Sequence, residues 1–460
     1  MLHVTVAIVG GGPAGSSAAE AAAREGANAV VFEKGVPRED RDELGPDSTD
    51  AAGFLDYWLD VADLDFRAIP NDVILQRLHG ATFVAPTERV TFRNTGLSDS
   101  FPGFGFTFHR ARFDDWLRKR AEDAGATYHA GMAVRSVETT FDGRCLHRLT
   151  LEDGSTFEAD ALILADGPQR QQTIPTISQF LPEHRTLKED LNPREVNHIA
   201  YQEHRRFPRE LFEPSTISFW WGWMPGETAY PWVFPNDDGI ARVGLTMPIG
   251  MELKDVQERD RYRLLQADDE HIPTGNEYVR RLLQEVYPDY HPDDFPLVTD
   301  RGKVDGTEAY PISSTRPIDS PTKANVAVVG GAMGATSAFH EGGDHVAIRS
   351  GKIAGRLAAL NRLQEYNGAW KVAIGPEVLR NVAIANVVDG FGPADWDRTF
   401  RTINRLFSAQ MSVNPGRSQY VDWARAAGIS GLSLGASYLW HKRRFRDGRY
   451  VQIREDEYTY

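Results

Sequence analysis

The hydrophobic pattern opens with Val4-Thr-Val-Ala-Ile-Val9, a mostly β-branched run that predicts a parallel strand buried on both faces. It stops at Gly10-Gly11-Gly12-Pro13-Ala14-Gly15, and an alanine-rich helical stretch over 16–25 follows until Gly26 ends it. A second strand over 27–32 runs into Glu33 and Lys34. Two further buried strands are predicted downstream. Ala161-Leu-Ile-Leu-Ala165 leads into Asp166-Gly167-Pro168, and residues 325–329 lead into Gly330-Gly331-Ala332-Met333-Gly334, with Ser350-Gly351-Lys352 inside a helix beyond.

Over 73–94 and again over 195–248 the grammar changes to short aromatic and β-branched runs punctuated by Pro, Gly and Asn, which predicts an antiparallel sheet. Proline-rich stretches at 288–296 and 311–321 mark a return to the first pattern. The expected fold is therefore α/β: a Rossmann-like dinucleotide-binding domain interleaved with an antiparallel-sheet substrate domain, plus a C-terminal helical region. The expected limits are 1–72, 101–175 and 297–360 for the cofactor domain, 73–100 and 176–296 for the sheet domain, and 361–460 for the helical region.

The chemistry begins at the first turn. In GxGxxG, Gly10 makes the tight turn, Gly12 lets a pyrophosphate approach the backbone, and Gly15 lets the helix pack on the strand. Glu33 stands where a carboxylate holds ribose hydroxyls. This fingerprint binds a dinucleotide without separating FAD from NAD; three strand ends aimed at one crevice suit an elongated cofactor such as FAD.

Composition narrows the field. Of 460 residues, 41% are hydrophobic and 25% charged, as in a folded globular chain. The net charge of -14 argues against nucleic acid as a partner. Cys145 is the sole cysteine, which excludes an intrachain disulfide, a thiolate zinc cluster and a CxxC redox pair, so electron chemistry needs a bound organic cofactor.

Alternate residues Tyr230, Trp232 and Phe234 share one strand face, and Trp220, Trp221 and Trp223 lie just before them, which predicts an aromatic wall. That wall is compatible with a plain sheet core or with a tunnel for a long apolar chain.

The three glycine-bearing strand ends resemble the GxGxxG, DG and GDxxG motifs of the para-hydroxybenzoate hydroxylase-like flavoproteins, and Arg110 matches that family's arginine before a helix along the cofactor. Tyr230-Pro-Trp-Val-Phe-Pro235, followed by Ile240-Ala-Arg-Val-Gly244, is similar to the YxWxFP motif and downstream glycine of the geranylgeranyl reductases. The resemblance implies FAD as cofactor, held by Gly10, Gly12, Pro13, Ala14, Gly15, Glu33, Lys34, Arg110, Val134, Asp166, Gly167, Gly331 and Gly343. Within that set it places Glu33 on the adenosine ribose, Arg110 near the pyrophosphate, the Val134 backbone at the adenine, and Asp166 near flavin and phosphates. It implies a substrate cavity lined by Tyr230, Trp232, Phe234, Pro235, Gly244 and Trp221, with Tyr230 the most plausible polar group for catalysis.

The chain departs from the family at telling places. Leu44 stands where a loop cysteine is usual, Gly331 replaces the third motif's aspartate, Ala338 its later proline, Glu341 a flavin-facing glycine, and Thr246 the second late glycine of the YxWxFP region. Glu341 and Asp344 near a helix N-terminus beside the flavin predict a low flavin potential or weakened flavin binding, unless they turn away or cap the helix.

Two other signals are set aside. Gly431-Leu-Ser-Leu-Gly435 has the GxSxG form without a preceding buried strand. His340-Glu-Gly-Gly-Asp-His345 has the wrong spacing for a zinc helix, so no metal is expected. Cys145 is read as structural.

The segment 426–440 is shorter than the roughly 20 residues of a spanning helix and carries three glycines. With the basic run His441-Lys-Arg-Arg-Phe-Arg446 it can rest on an anionic membrane surface, or pack on the protein with a solvated basic end. The chain has no basic and apolar leader, which places it in the cytoplasm, with peripheral contact at the inner membrane face through that segment.

The function implied is an FAD-dependent reductase that saturates isoprenoid double bonds of a membrane lipid or its precursor, drawing electrons from ferredoxin or NAD(P)H. A monooxygenase or halogenase on the same scaffold, and a non-catalytic isoprenoid-binding protein, are the alternatives.

Overall fold

The structure is a computed structural model that describes residues 2–460 apart from 38–52, 99, 142–144, 184, 186, 188–190, 192–197, 303, 313–315 and 412–418, with backbone alone for 408–411 and 419–427. The position of Leu44 lies outside the described residues.

Two seven-stranded sheets and a three-stranded one organise the chain. In the first, β1 (Leu2–Val9) runs parallel between β2 (Ala29–Glu33) and β11 (Thr156–Leu164), with β8 (Thr127–Ala130) beyond β2. β11 is shared along its length. Its first half pairs with the antiparallel hairpin β9 (Val134–Phe141) and β10 (Cys145–Leu151), and its last residues pair in parallel with β17 (Val326–Val328). Val6, Ala7, Ile8 and Val31 are fully buried, as the apolar runs require.

Helix α1 (Pro13–Arg24) starts at the proline because its fixed φ and missing N–H suit a first helical position. Against it lies the later helix Asp344–Ala359, drawn close by two glycines. A Cβ on Gly351 would sit 2.1 Å from the Ala14 carbonyl oxygen, and one on Gly355 2.0 Å from that of Ala18.

The second sheet has the order β16 (Thr307–Ile312), β12 (His198–Arg206), β15 (Ile240–Pro248), β14 (Tyr230–Pro235), β13 (Thr216–Trp220), β5 (Gly80–Val84), β6 (Arg89–Phe92). All its neighbours are antiparallel except β13 and β5, which pair in parallel because β5 arrives from a distant part of the chain. β16 is an edge of this sheet, so residues 307–312 belong with it and not with the first sheet, where the sequence pattern puts them. β3 (Gly53–Leu55), β7 (Gly105–Phe108) and β4 (Ile74–Leu78) form the small third sheet, so β4 also lies apart from the large antiparallel one.

The remaining helices are α2 (Asp56–Ala62), α3 (Arg110–Asp123), α4 (Thr173–Ser178), α5 (Gly275–Val286), the short α6 (Gly330–Met333), α7 (the Asp344–Ala359 helix), α8 (Tyr366–Ala373), α9 (Gly375–Val388), α10 (Pro393–Met411) and α11 (Gln419–Phe445). α5 buries Tyr278, Val279, Leu282 and Leu283 against one face of the second sheet. α11 breaks at Gly428, whose φ is 59°; the GxSxG sequence is an ordinary part of it. The last residues leave the helical region and return to the first sheet's core, where Asp319 N–H donates to the Ile453 carbonyl at 2.8 Å and Tyr458 Oη to that of Asp319 at 2.6 Å.

Candidate functional site

One cavity of about 680 Å³ joins the two large sheets, reaching from Gly12, Pro13 and Ala14 at the end of β1 to Tyr230, Trp232 and Phe234 on β14. The N-termini of two helices open into it: α1 through Gly12 and Pro13, and α7 through Gly343 and Asp344. Helix N-termini carry unpaired N–H groups and a positive dipole end, so both favour negative charge.

The first turn is sterically committed to glycine. Gly10 has φ 99°, and a Cβ on Gly15 would sit 1.9 Å from the Gly10 carbonyl oxygen. At the end of β2, Glu33 accepts from the N–H groups of Gly11 and Gly35, each at 2.6 Å, which fixes the carboxylate while leaving lone pairs for hydroxyl donors. The segment carrying Val134 runs beside it, since Met132 N–H donates to the Glu33 carbonyl at 2.8 Å, while Lys34 is exposed.

Arg110 lines the cavity and bonds Asp114 at 2.9 Å, with Asp344 at 3.4 Å. Gly167 and Gly331 line it too. Asp166 is used differently. Its carboxylate accepts from the N–H groups of Gln172 and Thr173 at 2.6 and 3.0 Å, and from the Thr173 hydroxyl, so it ties down the start of α4. Beneath Gly331 lies Arg170, fully buried, donating to the carbonyls of Ala332 at 2.9 Å and Leu191 at 3.2 Å. Burial pushes its guanidinium down to about 10, partly offset by Asp166. The sequence pattern holds no sign of this arginine.

The aromatic wall is built as the alternation predicts, with one revision. Tyr230, Trp232 and Phe234 face the cavity, and Trp221 stacks on Tyr230 with ring centroids 4.3 Å apart. Trp220 and Trp223 turn to the opposite face of the sheet, into the core beneath α5, and Pro235 lines a separate cavity on that side. The strand ends at Trp220, and the turn that follows changes the phase of the side chains. Gly244 lies under Trp232: a Cβ there would sit 2.7 Å from Trp232 Cε2 and 2.6 Å from Gln202 Cβ. Trp396 of α10 closes the wall against Trp221 at 4.6 Å, a contribution of the helical region that pattern reading missed.

Both acidic departures beside α7 line the cavity, each with partners of its own. Asp344 faces Arg110, and Glu341, at φ 58°, reaches the second sheet. There Thr246 Oγ1 donates to Glu341 Oε2 at 2.5 Å, Thr228 Oγ1 lies 3.4 Å from Oε1, and His198 Nδ1 lies 3.2 Å from Oε1. Burial raises the Glu341 carboxyl above its usual range, against the lowering effect of His198 and the two hydroxyls.

The Tyr230 phenol is occupied, donating to the His340 carbonyl at 2.9 Å, and burial lifts its pKa well above the ordinary phenol value. His340 and His345 meet Glu377 of α9 within 4.8 Å. Glu377 is already bonded by Tyr57, Asn381 and Arg380, so the group is a hydrogen-bond hub under the cavity. Cys145 donates to the Ala324 carbonyl at 3.1 Å, and burial pushes its thiol up to about 11, as befits a structural residue.

These residues fit FAD: a glycine turn with an open helix N-terminus for the pyrophosphate, a fixed carboxylate for ribose, and a second helix N-terminus further along the same cavity. Comparison with known proteins agrees. Residues 8–36 match the NAD(P)-binding Rossmann-like domain. The chain is 30% identical to digeranylgeranylglycerophospholipid reductase 1 of Methanosphaera stadtmanae over 53% of its own length and 55% of that protein, so this match spans about half of each. It is 24% identical to digeranylgeranylglycerophospholipid reductase 2 of Methanothermobacter thermautotrophicus over 86% of this chain and 91% of that one. Its fold is shared with a geranylgeranyl bacteriochlorophyll reductase-like protein from Thermoplasma acidophilum, with TM-score 0.68, 20% identity, and coverage of 97% of this chain and 99% of that one. The YxWxFP strand and the glycine turn thus stand in a chain that is similar to curated digeranylgeranylglycerophospholipid reductases and shares its fold with a geranylgeranyl bacteriochlorophyll reductase-like protein.

Proposed function

We propose that the protein is an FAD-dependent reductase that saturates geranylgeranyl-type double bonds of a membrane lipid or lipid precursor. The observation that carries this reading is the single cavity, which joins the dinucleotide crevice to an aromatic wall. Gly10, Gly12 and Gly15 with the α1 N-terminus would hold the pyrophosphate, Glu33 the ribose, and Arg110, Gly167, Gly331 and Gly343 the remainder. When bound and reduced, the flavin supplies a hydride to one alkene carbon.

The chain's own residues do the rest. Tyr230, Trp232, Phe234 and Trp221 offer flat apolar surfaces that bind an isoprenoid chain and keep water from the reacting bond. Ferredoxin or NAD(P)H would return the electrons.

Among the described residues no helix is long and apolar enough to cross a membrane. Ile429, Leu432, Leu439 and Trp440 are exposed on α11, beside Lys442, Arg443 and Arg444. That surface suits peripheral contact with an anionic bilayer that delivers the lipid.

The test is the product mass after anaerobic incubation of the reduced protein with a geranylgeranyl lipid. Addition of hydrogen pairs supports the reading, and unchanged lipid under a bound, reduced flavin overturns it.

A further inference from the structure

A double-bond saturation needs a proton as well as a hydride, and the loop position with a cysteine in relatives carries Leu44 here. Tyr230 has its proton engaged with the His340 carbonyl. Of the other cavity groups, Asp344 faces Arg110 and His340 faces Glu377, whereas Glu341 meets the cavity beside the wall with hydroxyls and an imidazole around it. Its side chain is 3% exposed, it lines the cavity, and it enters from the loop that starts α7.

The register places its partner on the cavity face. Thr246 stands directly opposite Tyr230 across β15 and β14, just as Gly244 stands opposite Trp232, so the Glu341 carboxyl lies at the foot of the aromatic wall.

The histidine beside it fixes the count of protons. His198 Nε2 lies 2.9 Å from the Glu227 carbonyl, which can only accept, so Nε2 carries a hydrogen. In neutral His198 the nitrogen facing Glu341 then has a lone pair. That nitrogen makes no hydrogen bond, and a lone pair 3.2 Å from a carboxylate oxygen is repulsive, which a proton on Glu341 relieves.

We propose that Glu341 is the acid of the reaction, giving its proton to the second alkene carbon and regaining one from solvent. The inference rests on the reductase reading. With the hydride added to one carbon, the π electron pair closes a C–H bond with the proton leaving the Glu341 oxygen, and a carboxylate remains. A proton from solvent then restores the acid. Burial raises the Glu341 carboxyl above its ordinary range, the direction that favours a proton donor. The titratable groups that act on it are His198 on β12, Tyr230 on β14 and His340 on its own loop, with Glu377 and Arg380 of α9 behind His340.

The experiment compares wild type with Glu341→Gln, an isosteric change that can still pair with Thr246. In infrared spectra of the flavin-bound protein near neutral pH, wild type should show a protonated-carboxyl band that the variant lacks. In single turnover with a geranylgeranyl lipid, Glu341→Gln should bind flavin and lipid yet react about 100-fold more slowly, the lower end of what a positioned acid contributes. Its rate should lose the limb that falls as pH rises through the Glu341 pKa. If Glu341→Gln fails to fold, Thr246→Val serves, since loss of the hydroxyl should move that limb to higher pH; an unmoved limb overturns the proposal. Identical infrared spectra, or a Glu341→Gln rate within threefold of an active wild type, overturn the proposal and leave the reductase reading standing. A wild type that leaves the lipid unchanged overturns the reading first, and the proposal with it.

Discussion

Thr246 Oγ1 and Glu341 Oε2 lie 2.5 Å apart, joining two positions, 95 residues apart in sequence, for which the motif resemblance implies glycine. Each departure looks damaging alone: one puts a side chain on a strand that tolerates little, the other an acid beside a flavin. Together they form a bonded pair that ties the acid to the second sheet.

The pair gives stability a pH dependence. Burial raises the folded carboxyl's pKa, so the folded state keeps a proton that the unfolded chain releases. The contribution is fully present below the ordinary carboxylate pKa and is lost as pH rises through the raised one. Each tenfold weakening of the carboxyl's acidity on folding corresponds to roughly 1.4 kcal/mol. Urea unfolding at about pH 5 and about pH 8 should show a larger loss in wild type than in Glu341→Gln.

Gly244→Ala should deform the wall, because the new methyl would sit 2.7 Å from Trp232 Cε2 and 2.6 Å from Gln202 Cβ. Overpacking of this kind costs about 1–3 kcal/mol. Thermal unfolding should reveal it, and Trp232 displaced into the cavity should weaken lipid binding more than flavin binding, read by separate titrations.

Arg110→Met should make the bound flavin harder to reduce. Arg110 Nη1 lies 3.4 Å from an Asp344 carboxylate oxygen, and removing that cation leaves more negative charge at the α7 N-terminus. A fall on the order of 30 mV, about 1.4 kcal/mol for a two-electron couple, is expected in a dye-coupled redox titration. An unchanged potential would show that Asp344 does not act on the flavin.

Reversing Lys442, Arg443 and Arg444 to glutamate should weaken binding to phosphatidylserine vesicles at low salt by at least about tenfold, since each basic residue near an anionic surface contributes about 1 kcal/mol. Uncharged vesicles should show no difference. Equal binding of wild type and variant to both kinds of vesicle would remove the basic run from the membrane contact.

Much of this is legible in the sequence because it is local. Val4 to Val9 with the glycine turn and Glu33 is one continuous signal in which each residue's role follows from steric or hydrogen-bonding need. Tyr230, Trp232 and Phe234 declare their face through simple alternation. Trp220 faces the far side by the same alternation, since Ile217, Phe219 and Trp221 face the cavity, and Trp223 joins it because the phase changes in the turn after β13, which hydrophobicity does not record. Asp166 spends its carboxylate on the nearby Gln172 and Thr173, a loop detail that a motif match overrides too easily. The approach of His198 to Glu341 spans 143 residues and three separate segments, including Thr246, so only the folded chain shows it.

The central claim is that one cavity lets a reduced flavin meet an isoprenoid chain. Its most direct test is anaerobic stopped-flow mixing of the chemically reduced protein with a geranylgeranyl lipid, following flavin absorbance and then product mass. The account requires reoxidation at a rate that saturates with lipid, and one saturated bond for each flavin oxidised. A flavin that stays reduced until air is admitted, over unchanged lipid, would contradict it.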